Sequence, residues 1–446
     1  LTYGQVRDHD LNSALQKSYM FYEAQVSGVK PSWNRIAYRG NANTSDKVPG
    51  GWYDAGDTLK LNYPLGTTVS WLAWSILDFP RAYDRTGTTT IAMNNVRWAA
   101  DYLMRCHRNT YEYVGQIGDP GPDHSYWGRP EQETMDRPAY TWTKTTPASD
   151  LLGVVSAALA STSMVLQSSD PAYAAQLLAH AKSLYKWGSE VEGKYSDSFT
   201  SATYVYTSSR YLDKLMYAAA WLYRATGTVS YANDALKYWN RFQGDVYTGW
   251  DSASAPAVNL LLKLKAQGKN VPGADQYESW WTYTFAPAWI QANGNWSLVR
   301  TPLGLVYPNW SQWGNLRHAS NAAFMFAMRA SYTSTDKSAS LDFARSQLDY
   351  ALFSTGRSFV VGQGSNPPLQ PHHRAASCPN MPATCNWDQF YAAGANPQVL
   401  YGALVGGPPS GDGTYVDLRS DYVSNEVACD YNSGFTGALA GMLHLS

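Results

Sequence analysis

Charge is scarce in this 446-residue chain, because Asp, Glu, Lys and Arg together make up only 15% of it, against about 25% in an average globular protein. The 34 basic and 35 acidic residues leave a formal net charge of −1. Proteins that bind nucleic acid usually carry a basic face that neutralises phosphate. The composition therefore argues against a nucleic-acid partner.

Long apolar runs and low-complexity segments are also missing. No stretch approaches the roughly 18 consecutive apolar residues of a membrane span. The opening residues, LTYGQVRDHD, lack the charged-then-apolar pattern of a leader peptide. No Pro/Ser/Thr-rich linker or charge block divides the chain. We therefore expect one domain over residues 1–446 that acts as a monomer without a membrane partner.

Cysteine is rare too, with only four residues in the chain. Cys378 and Cys385 flank a short proline-containing loop, and this spacing predicts a disulfide. Cys106 and Cys429 form either a long-range bridge or two buried thiols, and the thiols are favoured. The start of the chain fits either a cytosolic protein or a mature secreted form, and the cysteine pattern favours secretion.

Aromatic residues are abundant where charge is not. The 18 Trp, 33 Tyr and 12 Phe make up 14% of the chain. Aromatic rings stack on the C–H faces of a neutral, hydroxylated ligand, whose hydroxyls need only a few polar partners. A polysaccharide fits that description. A core rich in Tyr and Trp explains the composition equally well.

Apolar residues recur at helical spacing along most of the chain. One apolar stripe runs through Val69, Leu72, Ala73, Ile76 and Leu77, and the chain carries about twelve such stripes in all. They lie near residues 10–27, 69–77, 92–108, 151–159, 173–189, 211–226, 230–242, 256–266, 274–290, 318–331, 340–353 and 433–444.

Long segments without this periodicity separate some of the helices, at residues 28–64, 109–146, 293–316 and 355–430. Loops longer than about 12–15 residues are usually functional in a compact protein. We therefore predict an all-α fold, an (α/α)6 barrel of six helical hairpins whose long loops form an open substrate cleft at one end. Short runs such as Ser358–Gly362 predict loop hairpins and not a sheet. A helical solenoid is the alternative, but no repeat of 20–50 residues is present.

A pair of aspartates on a glycine-rich turn is the first candidate for chemistry. The sequence GGWYDAGD places Asp54 and Asp57 three positions apart, with Gly56 between them. A tight turn can point both carboxylates at one water molecule, which one of them then activates as a base. An Asx-turn or a helix N-cap explains an isolated pair of this kind at least as well.

Glu426 is the third candidate, in the segment SDYVSNEVACDYNSGF. Its apolar neighbours disfavour the carboxylate, and a glutamic acid that keeps its proton near neutral pH serves as a general acid. A glutamate that interacts with free amides at a helix start is the alternative. Glycoside hydrolysis needs two carboxyl groups, an acid on the leaving oxygen and a base or nucleophile across the sugar.

Three long-loop segments combine imidazoles, guanidinium groups and rings: Asp123–Glu131, Trp313–His318 and Asn366–Arg374. Recognition of sugar hydroxyls is their sharpest functional use, and ordinary surface polarity is the alternative. His372 and His373 are adjacent, without the ligand spacing of a zinc site. Neither a Gly-x-Ser-x-Gly motif nor a phosphate-binding loop is present.

Together these segments resemble glycoside hydrolase family 9, the inverting cellulases, and most closely its animal members. The family's YDAGD appears as Tyr53–Asp57, its DHxxWGRPE as Asp123–Glu131 and its NPPxxPHHR as Asn366–Arg374. Its SDYxxNEVAxDYNAGF appears as Ser420–Phe435, with Ser433 where alanine is usual. Four motifs in order over the whole chain make the resemblance highly specific.

The resemblance implies an (α/α)6 barrel with an open cleft that cleaves β-1,4-glucan. It implies that Asp57 is the catalytic base, Asp54 the second carboxylate that holds the attacking water, and Glu426 the general acid. At the positions of His124, Tyr206, Arg317, His372, Arg374 and Tyr431 the family binds glucose hydroxyls or frames the acid, and at those of Trp250 and Trp313 it stacks sugar rings.

One departure from the family concerns a structural calcium, which many members bind through a segment ending in Asp-Glu and a later Asp. Ser209 and Asp213 lie in the matching segment here, Lys214 occupies the Glu position, and Asp251 is the later Asp. An ammonium cannot ligate a cation, and calcium takes six to eight oxygens. We expect the Lys214 ammonium to pair with Asp213 or Asp251, and calcium binding to be weak or lost.

These expectations add up to a secreted, inverting endo-β-1,4-glucanase that needs no cofactor for catalysis. An exo-acting or mixed-linkage β-glucanase on the same scaffold is the first alternative, because loop lengths at the cleft ends decide between them. A non-catalytic glucan-binding protein is the second alternative, and the presence of Asp54, Asp57 and Glu426 argues against it.

Overall fold

Twelve long helices dominate the computed structural model, which describes residues 3–242 and 244–446. In chain order they are α1 (Tyr3–Ala24), α2 (Asn62–Asp78), α3 (Thr89–Arg105), α4 (Ser149–Leu166), α5 (Pro171–Glu190), α6 (Leu212–Thr226), α7 (Val229–Trp239), α8 (Ser254–Ala266), α9 (Ala274–Trp280, continued by a π turn at Trp281–Phe285 and by Ala286–Gln291), α10 (Asn315–Ala330), α11 (Lys337–Asp349) and α12 (Cys429–Leu445).

The even-numbered helices close into an inner ring. Helix α2 packs on α4, α4 on α6, α6 on α8, α8 on α10, α10 on α12, and α12 returns to α2. The odd-numbered helices lie outside, each against one or two inner helices. Six hairpins with inner and outer rings are the (α/α)6 barrel that the sequence predicted, and this prediction is confirmed.

Burial differs between the two rings as their positions require. Along α4 and α10 almost every residue is buried, whereas α3, α5 and α7 each bury one stripe and expose the rest. Close approach in the inner ring depends on glycine: a Cβ at Gly434 of α12 would lie 2.8 Å from the Cα of Asn321 on α10. The core is therefore the space between the inner helices and the faces that the outer helices turn toward them.

The first helix starts earlier than its apolar stripe indicates. We expected a stripe over residues 10–27, but α1 runs over Tyr3–Ala24. The residues before position 10 are mostly polar, so the helical period is not visible there in the sequence.

Strands occur within the long loops, which the sequence did not predict as a sheet. The strands are β1 (Lys60–Leu61), β2 (His107–Asn109), β3 (Glu112–Ile117), β4 (Ala139–Thr143), β5 (Leu298–Arg300) and β6 (Val306–Pro308). Strand β3 pairs antiparallel with β4 along one edge and with β1 and β2 along the other, while β5 and β6 form a separate hairpin. The segment Ser358–Gly362 forms no local hairpin, because Val360 bridges to the distant Leu404.

Short helical turns complete the described chain. The α-helical turns are Pro80–Thr86, Pro120–His124, Thr200–Thr203, Arg374–Ser377, Trp387–Tyr391 and Tyr422–Asn425; the 3-10 turns are Pro130–Gln132, Tyr195–Asp197, Tyr204–Tyr206 and Asn295–Ser297; and a π turn spans Tyr350–Ser354.

Helix α4 is long and apolar enough to cross a membrane by composition alone, and among the described residues no other helix is. It is an inner-ring helix, and 94% of its residues are buried inside the barrel.

Candidate active site

The turn that carries the two aspartates is fixed from both sides. The Asp54 amide donates to the Leu59 carbonyl at 2.9 Å, and the Leu59 amide donates to Asp57 Oδ1 at 3.1 Å. The second bond is the Asx-turn that the sequence offered as an alternative. A Cβ at Gly56 would lie 2.1 Å from the His372 carbonyl oxygen, so only glycine fits against that loop. The turn then enters β1 and α2, which anchor it to the barrel.

The second carboxylate oxygen of Asp57, Oδ2, is directed toward the cleft. Oδ2 lies 3.3 Å from His124 Nε2, and both residues line a cavity of about 400 Å³. Burial alone would raise the pKa of Asp57, but the hydrogen bond from His124 and the charge of Arg374 lower it below its usual range. Asp57 is therefore ionised at neutral pH, as a general base must be.

Asp54 is almost completely buried behind Asp57, and it does not line the cavity. The Tyr206 hydroxyl donates to its Oδ2 at 2.7 Å, while among the described residues its Oδ1 has no hydrogen-bond partner. Burial, and next the charge of Asp430, raise the pKa of Asp54 well above its usual value. The surroundings of the two aspartates of the turn therefore shift their pKa values in opposite directions.

Glu426 directly follows the turn Tyr422–Asn425 and lies three positions before Cys429, the first residue of α12. The Trp313 indole N–H donates to its Oε2, and the Tyr431 hydroxyl lies 3.4 Å from the same oxygen. Burial raises the pKa of Glu426 to about 7, although the bond from Trp313 opposes that rise. Its side chain bonds to aromatic residues and not to helix amides, which supports the acid role over the helix-start alternative.

Asp57 and Glu426 line the same cavity, and their environments move their pKa values in opposite directions. Two carboxyl groups whose pKa values are shifted apart in this way supply one base and one acid at the same pH. The cavity is lined by Gly56, Asp57, His124, Trp127, Trp313, His372, Arg374, Trp387, Phe390, Tyr422 and Glu426.

Half of the predicted binding residues lie in this cavity: His124, Trp313, His372 and Arg374. His372 donates from Nδ1 to the Arg419 carbonyl at 2.9 Å, which leaves Nε2 as an acceptor. Burial lowers the pKa of His372 to about 4, so the ring is neutral.

Arg374 is buried, and in addition to its charge effect on Asp57 it contacts residues that position the turn around Asp57. Its guanidinium pairs with Asp123 at 3.0 Å, and Asp123 also accepts from the Thr58 hydroxyl at 2.7 Å. The segment after Asp57 is thus tied to the short helix that presents His124.

The other predicted residues extend the site in one direction. Trp250 and Arg317 line a second cavity of about 540 Å³, and Arg317 donates to the Trp313 carbonyl at 3.3 Å. Tyr206 packs edge-on against Trp250, with ring centroids 4.8 Å apart, and Arg317 lies over the Tyr431 ring. The two cavities therefore adjoin along Trp313 and Arg317 and form one groove.

The sequence analysis did not single out several residues of the site. Trp127, Trp387, Phe390 and Tyr422 line the first cavity, and Tyr422 packs against Trp313 with ring centroids 5.5 Å apart. Asp430 pairs with Arg317 at 3.3 Å, and Asp123 pairs with Arg374. The excess of aromatic residues in the long loops was the sequence signal that could have identified these rings. Asp430 lies four positions after Glu426, in a motif that the sequence analysis had already selected.

The cysteine predictions are confirmed. Cys378 and Cys385 form a disulfide, and Cys106 and Cys429 are separate buried thiols.

The predicted calcium segment comes together in space, but it does not fit a metal ion. The fully buried Lys214 ammonium lies 3.2 Å from Asp213 Oδ2 and 3.5 Å from Asp251 Oδ1. It also donates to the carbonyls of Arg210 and Asp251, and the Ser209 amide donates to Asp251 Oδ1. In a second set of metal-ligand types, the atoms of Asp57, Asp123 and His124 lie within 4.8 Å of one another beside the first cavity, but those groups already pair with one another and with Arg374.

Comparison with known proteins decides the family. The profile of glycosyl hydrolase family 9 matches residues 12–439. The chain belongs to this family.

Individual relatives agree with the assignment to glycosyl hydrolase family 9. Endoglucanase B of Cellulomonas fimi is 37% identical over 96% of this chain, which spans only 42% of that relative's length. The endoglucanase structure from the termite Nasutitermes takasagoensis superposes with a TM-score of 0.90 at 41% identity, covering 98% of this chain and 99% of the termite chain. Endoglucanase CelQ of Clostridium thermocellum, solved with cellobiose and cellotriose, gives 0.83 at 35% identity over 97% of this chain and 70% of its own. The expected glycoside hydrolase class is thereby confirmed.

Proposed function

We propose that this family 9 chain is an inverting endo-β-1,4-glucanase that cleaves internal bonds of cellulose and related glucans. The observation that carries the proposal is the single cavity lined both by Asp57, whose pKa is lowered, and by Glu426, whose pKa is raised to about 7. Its similarity to endoglucanases from bacteria and a termite supports the substrate class.

The groove itself suits a polymer. Trp387, Tyr422 and Trp313 line the first cavity, and Trp250 and Trp310 continue the aromatic lining into the second. Sugar rings stack on such side chains through their C–H faces. A chain of glucose units can therefore lie along the groove with one glycosidic bond between Asp57 and Glu426.

The proposed reaction uses these two carboxyl groups once each. Asp57 removes a proton from a water molecule, whose oxygen bonds to the anomeric carbon from the face opposite the leaving group. The bond from that carbon to the glycosidic oxygen breaks, and Glu426 donates its proton to the departing oxygen. Asp57 ends protonated and Glu426 ends ionised, and exchange with solvent restores both. A direct displacement of this kind inverts the anomeric configuration, and it predicts carboxyl separations of about 6.5–9.5 Å.

Asp54, with its raised pKa and its bond to Tyr206, supports the attacking water from behind Asp57 in this proposal. Arg374 keeps Asp57 ionised, and His124 positions it. Catalysis proceeds in this scheme without a metal ion or other cofactor.

The decisive experiment is proton NMR of the anomeric region during cleavage of cellopentaose. The α-anomer of the new reducing end should appear first and then equilibrate. First appearance of the β-anomer would contradict the inverting mechanism, and no cleavage by the folded enzyme would contradict the activity.

The mode of attack is tested separately on carboxymethylcellulose. An endo-acting enzyme lowers viscosity steeply while few reducing ends form. A slow fall in viscosity at the same release of reducing ends would favour the exo-acting alternative, and a higher kcat/KM on barley β-glucan than on cellulose would favour the mixed-linkage alternative.

We also propose that the protein works as a secreted monomer. Disulfides persist in oxidising compartments, and Cys378–Cys385 supports that location. Native protein found in the culture medium or body fluid of its source, eluting at the mass of one chain, is the expected result. Confinement to the cytosol would contradict it.

A further inference from the structure

A buried ionic cluster outside the catalytic cavity surrounds Lys214, at the start of α6. Four oxygens face its ammonium: Asp213 Oδ2, Asp251 Oδ1 and the carbonyls of Arg210 and Asp251. Lys214 and Asp213 are fully buried, so this is an interior cation site and not a surface ion pair.

We propose that the Lys214 ammonium is a built-in structural cation, which replaces a divalent ion at this position and makes the fold here independent of free metal. An ammonium and a bound metal ion share one requirement, a shell of carboxylate and carbonyl oxygens, and the shell here is already complete around nitrogen. The side chain is tethered to α6, so no ion has to be captured from solution.

The charge balance of the cluster agrees with such an exchange. Lys214 with Asp213 and Asp251 carries a net charge of −1. A glutamate at position 214 with the same two aspartates and one Ca²⁺ would also carry −1. The exchange therefore leaves the net charge of the cluster unchanged. Removal of the ammonium alone takes away a cation beside the fully buried Asp213 and leaves Arg210, whose Nε lies 3.7 Å from Asp213 Oδ1, to balance it.

The Lys214 ammonium also fixes the position of residues that line the substrate groove. Asp251 follows Trp250 directly, and Ser209, Arg210, Trp250 and Asp251 all line the second cavity. The ammonium contacts Asp251 through both its carboxylate and its carbonyl. Lys214 is therefore a positioning residue that acts on Trp250 through the adjacent Asp251. This extension of the proposal rests on the proposed function.

The test measures thermal unfolding of three proteins, each in excess EDTA and in excess CaCl₂. The wild type should give the same Tm in both. Lys214→Glu should unfold at a lower temperature in EDTA and gain about 3 °C or more in CaCl₂. The double variant Lys214→Glu/Asp251→Asn should show most of that gain abolished, because it lacks one ligand.

Two results would overturn the proposal: a calcium-dependent rise in the wild-type Tm as large as that of Lys214→Glu, or a folded Lys214→Glu with no such rise. If Lys214→Glu does not fold, Lys214→Gln replaces it and should also gain Tm in CaCl₂. Calorimetric titration of CaCl₂ into the wild type is an independent test, and no saturable binding is expected. These readouts need no activity, so they distinguish failure of this proposal from failure of the proposed function.

For the groove, folded Lys214→Gln in EDTA should raise KM on cellohexaose several-fold while kcat changes less. An unchanged KM would contradict the link to Trp250.

Discussion

At the scale of single residues, the site depends on how differently the protein treats chemically similar carboxyl groups. Asp57 receives a hydrogen bond from His124 and faces Arg374, so its pKa falls. Glu426 faces rings, and its pKa rises to about 7. In the proposed mechanism, the division of work between base and acid therefore follows from the neighbouring residues and not from the carboxyl groups themselves.

Loss of either group should lower kcat far more than it changes substrate binding. Asp57→Ala and Glu426→Gln are each expected to lose at least about 100-fold in kcat on cellopentaose. On an aryl cellobioside with a good leaving group, Glu426→Gln should recover much of its loss, because that group departs without a proton. Asp57→Ala should not recover. Wild-type turnover by either variant, or equal recovery by both, would reverse the assignment.

The indole of Trp313 should set the alkaline limit of activity. Its N–H bond stabilises the ionised form of Glu426, so Trp313→Phe should raise the pKa of Glu426 above about 7. Since the acid must be protonated, the fall in kcat at high pH should then begin at a higher pH. Tyr431→Phe removes only a 3.4 Å contact and serves as the matched control, with a smaller shift. A downward shift for Trp313→Phe in the kcat–pH profile would contradict this account.

At the scale of elements, the small loop closed by Cys378 and Cys385 supports one wall of the groove. Arg129 donates to the carbonyls of Pro379 and Ala383 within that loop. The helix Trp387–Tyr391, which begins two residues after the loop, carries rings of the cavity wall. The disulfide therefore fixes a substrate-binding surface as well as the chain.

Replacing both cysteines by alanine should lower the free energy of unfolding by about 2.5 kcal/mol, as expected for a loop of this length. KM on cellotetraose should rise while kcat changes little, because the wall binds ground and transition states alike. Cys106→Ala is the control: it empties a buried site away from the groove and should leave KM unchanged. A double-alanine variant with the same KM as the wild type would show that the disulfide does not contribute to substrate binding.

The sequence predicted elements well where their signal is local. The stripes at residues 69–77 and 151–159 predicted α2 and α4, because buried faces repeat every 3.6 residues. Strand β3 pairs along its whole length with β4, across a loop of more than 20 residues, and such a pairing leaves no local signal. Its short pairing with β2, across Thr110 and Tyr111, was missed as well.

The same limit applies to the site. Asp54, Asp57 and Glu426 stood out by type and setting, whereas Trp387 and Asp123 acquire their roles only from contacts between distant loops. The raised pKa of Asp54 comes first from burial and then from the charge of Asp430, which no spacing rule connects to it.

At the scale of the whole molecule, stability depends on closure of the inner ring between its first and last helices. Helix α12 packs on both α10 and α2, and Gly434 in α12 permits its close approach to α10.

Gly434→Ala should therefore lower the free energy of unfolding by about 3 kcal/mol, because the added Cβ meets the backbone of Asn321. Ser433→Ala, one position earlier in the same helix, removes a single 3.3 Å hydrogen bond and should cost less than about 1 kcal/mol. Denaturant titration measures both. Equal unfolding midpoints for Gly434→Ala and the wild type would show that α12 adjusts to the extra methyl group.

The base and the acid lie 369 positions apart, on opposite sides of the seam where the ring closes. A ribosome that adds roughly 5–20 residues per second makes Asp57 about 20–70 s before it makes Glu426. In the proposed mechanism, the nascent polypeptide lacks its general acid throughout that interval. Hydrolytic competence then arrives together with the helix that seals the inner ring, and a chain terminated before Glu426 is inert.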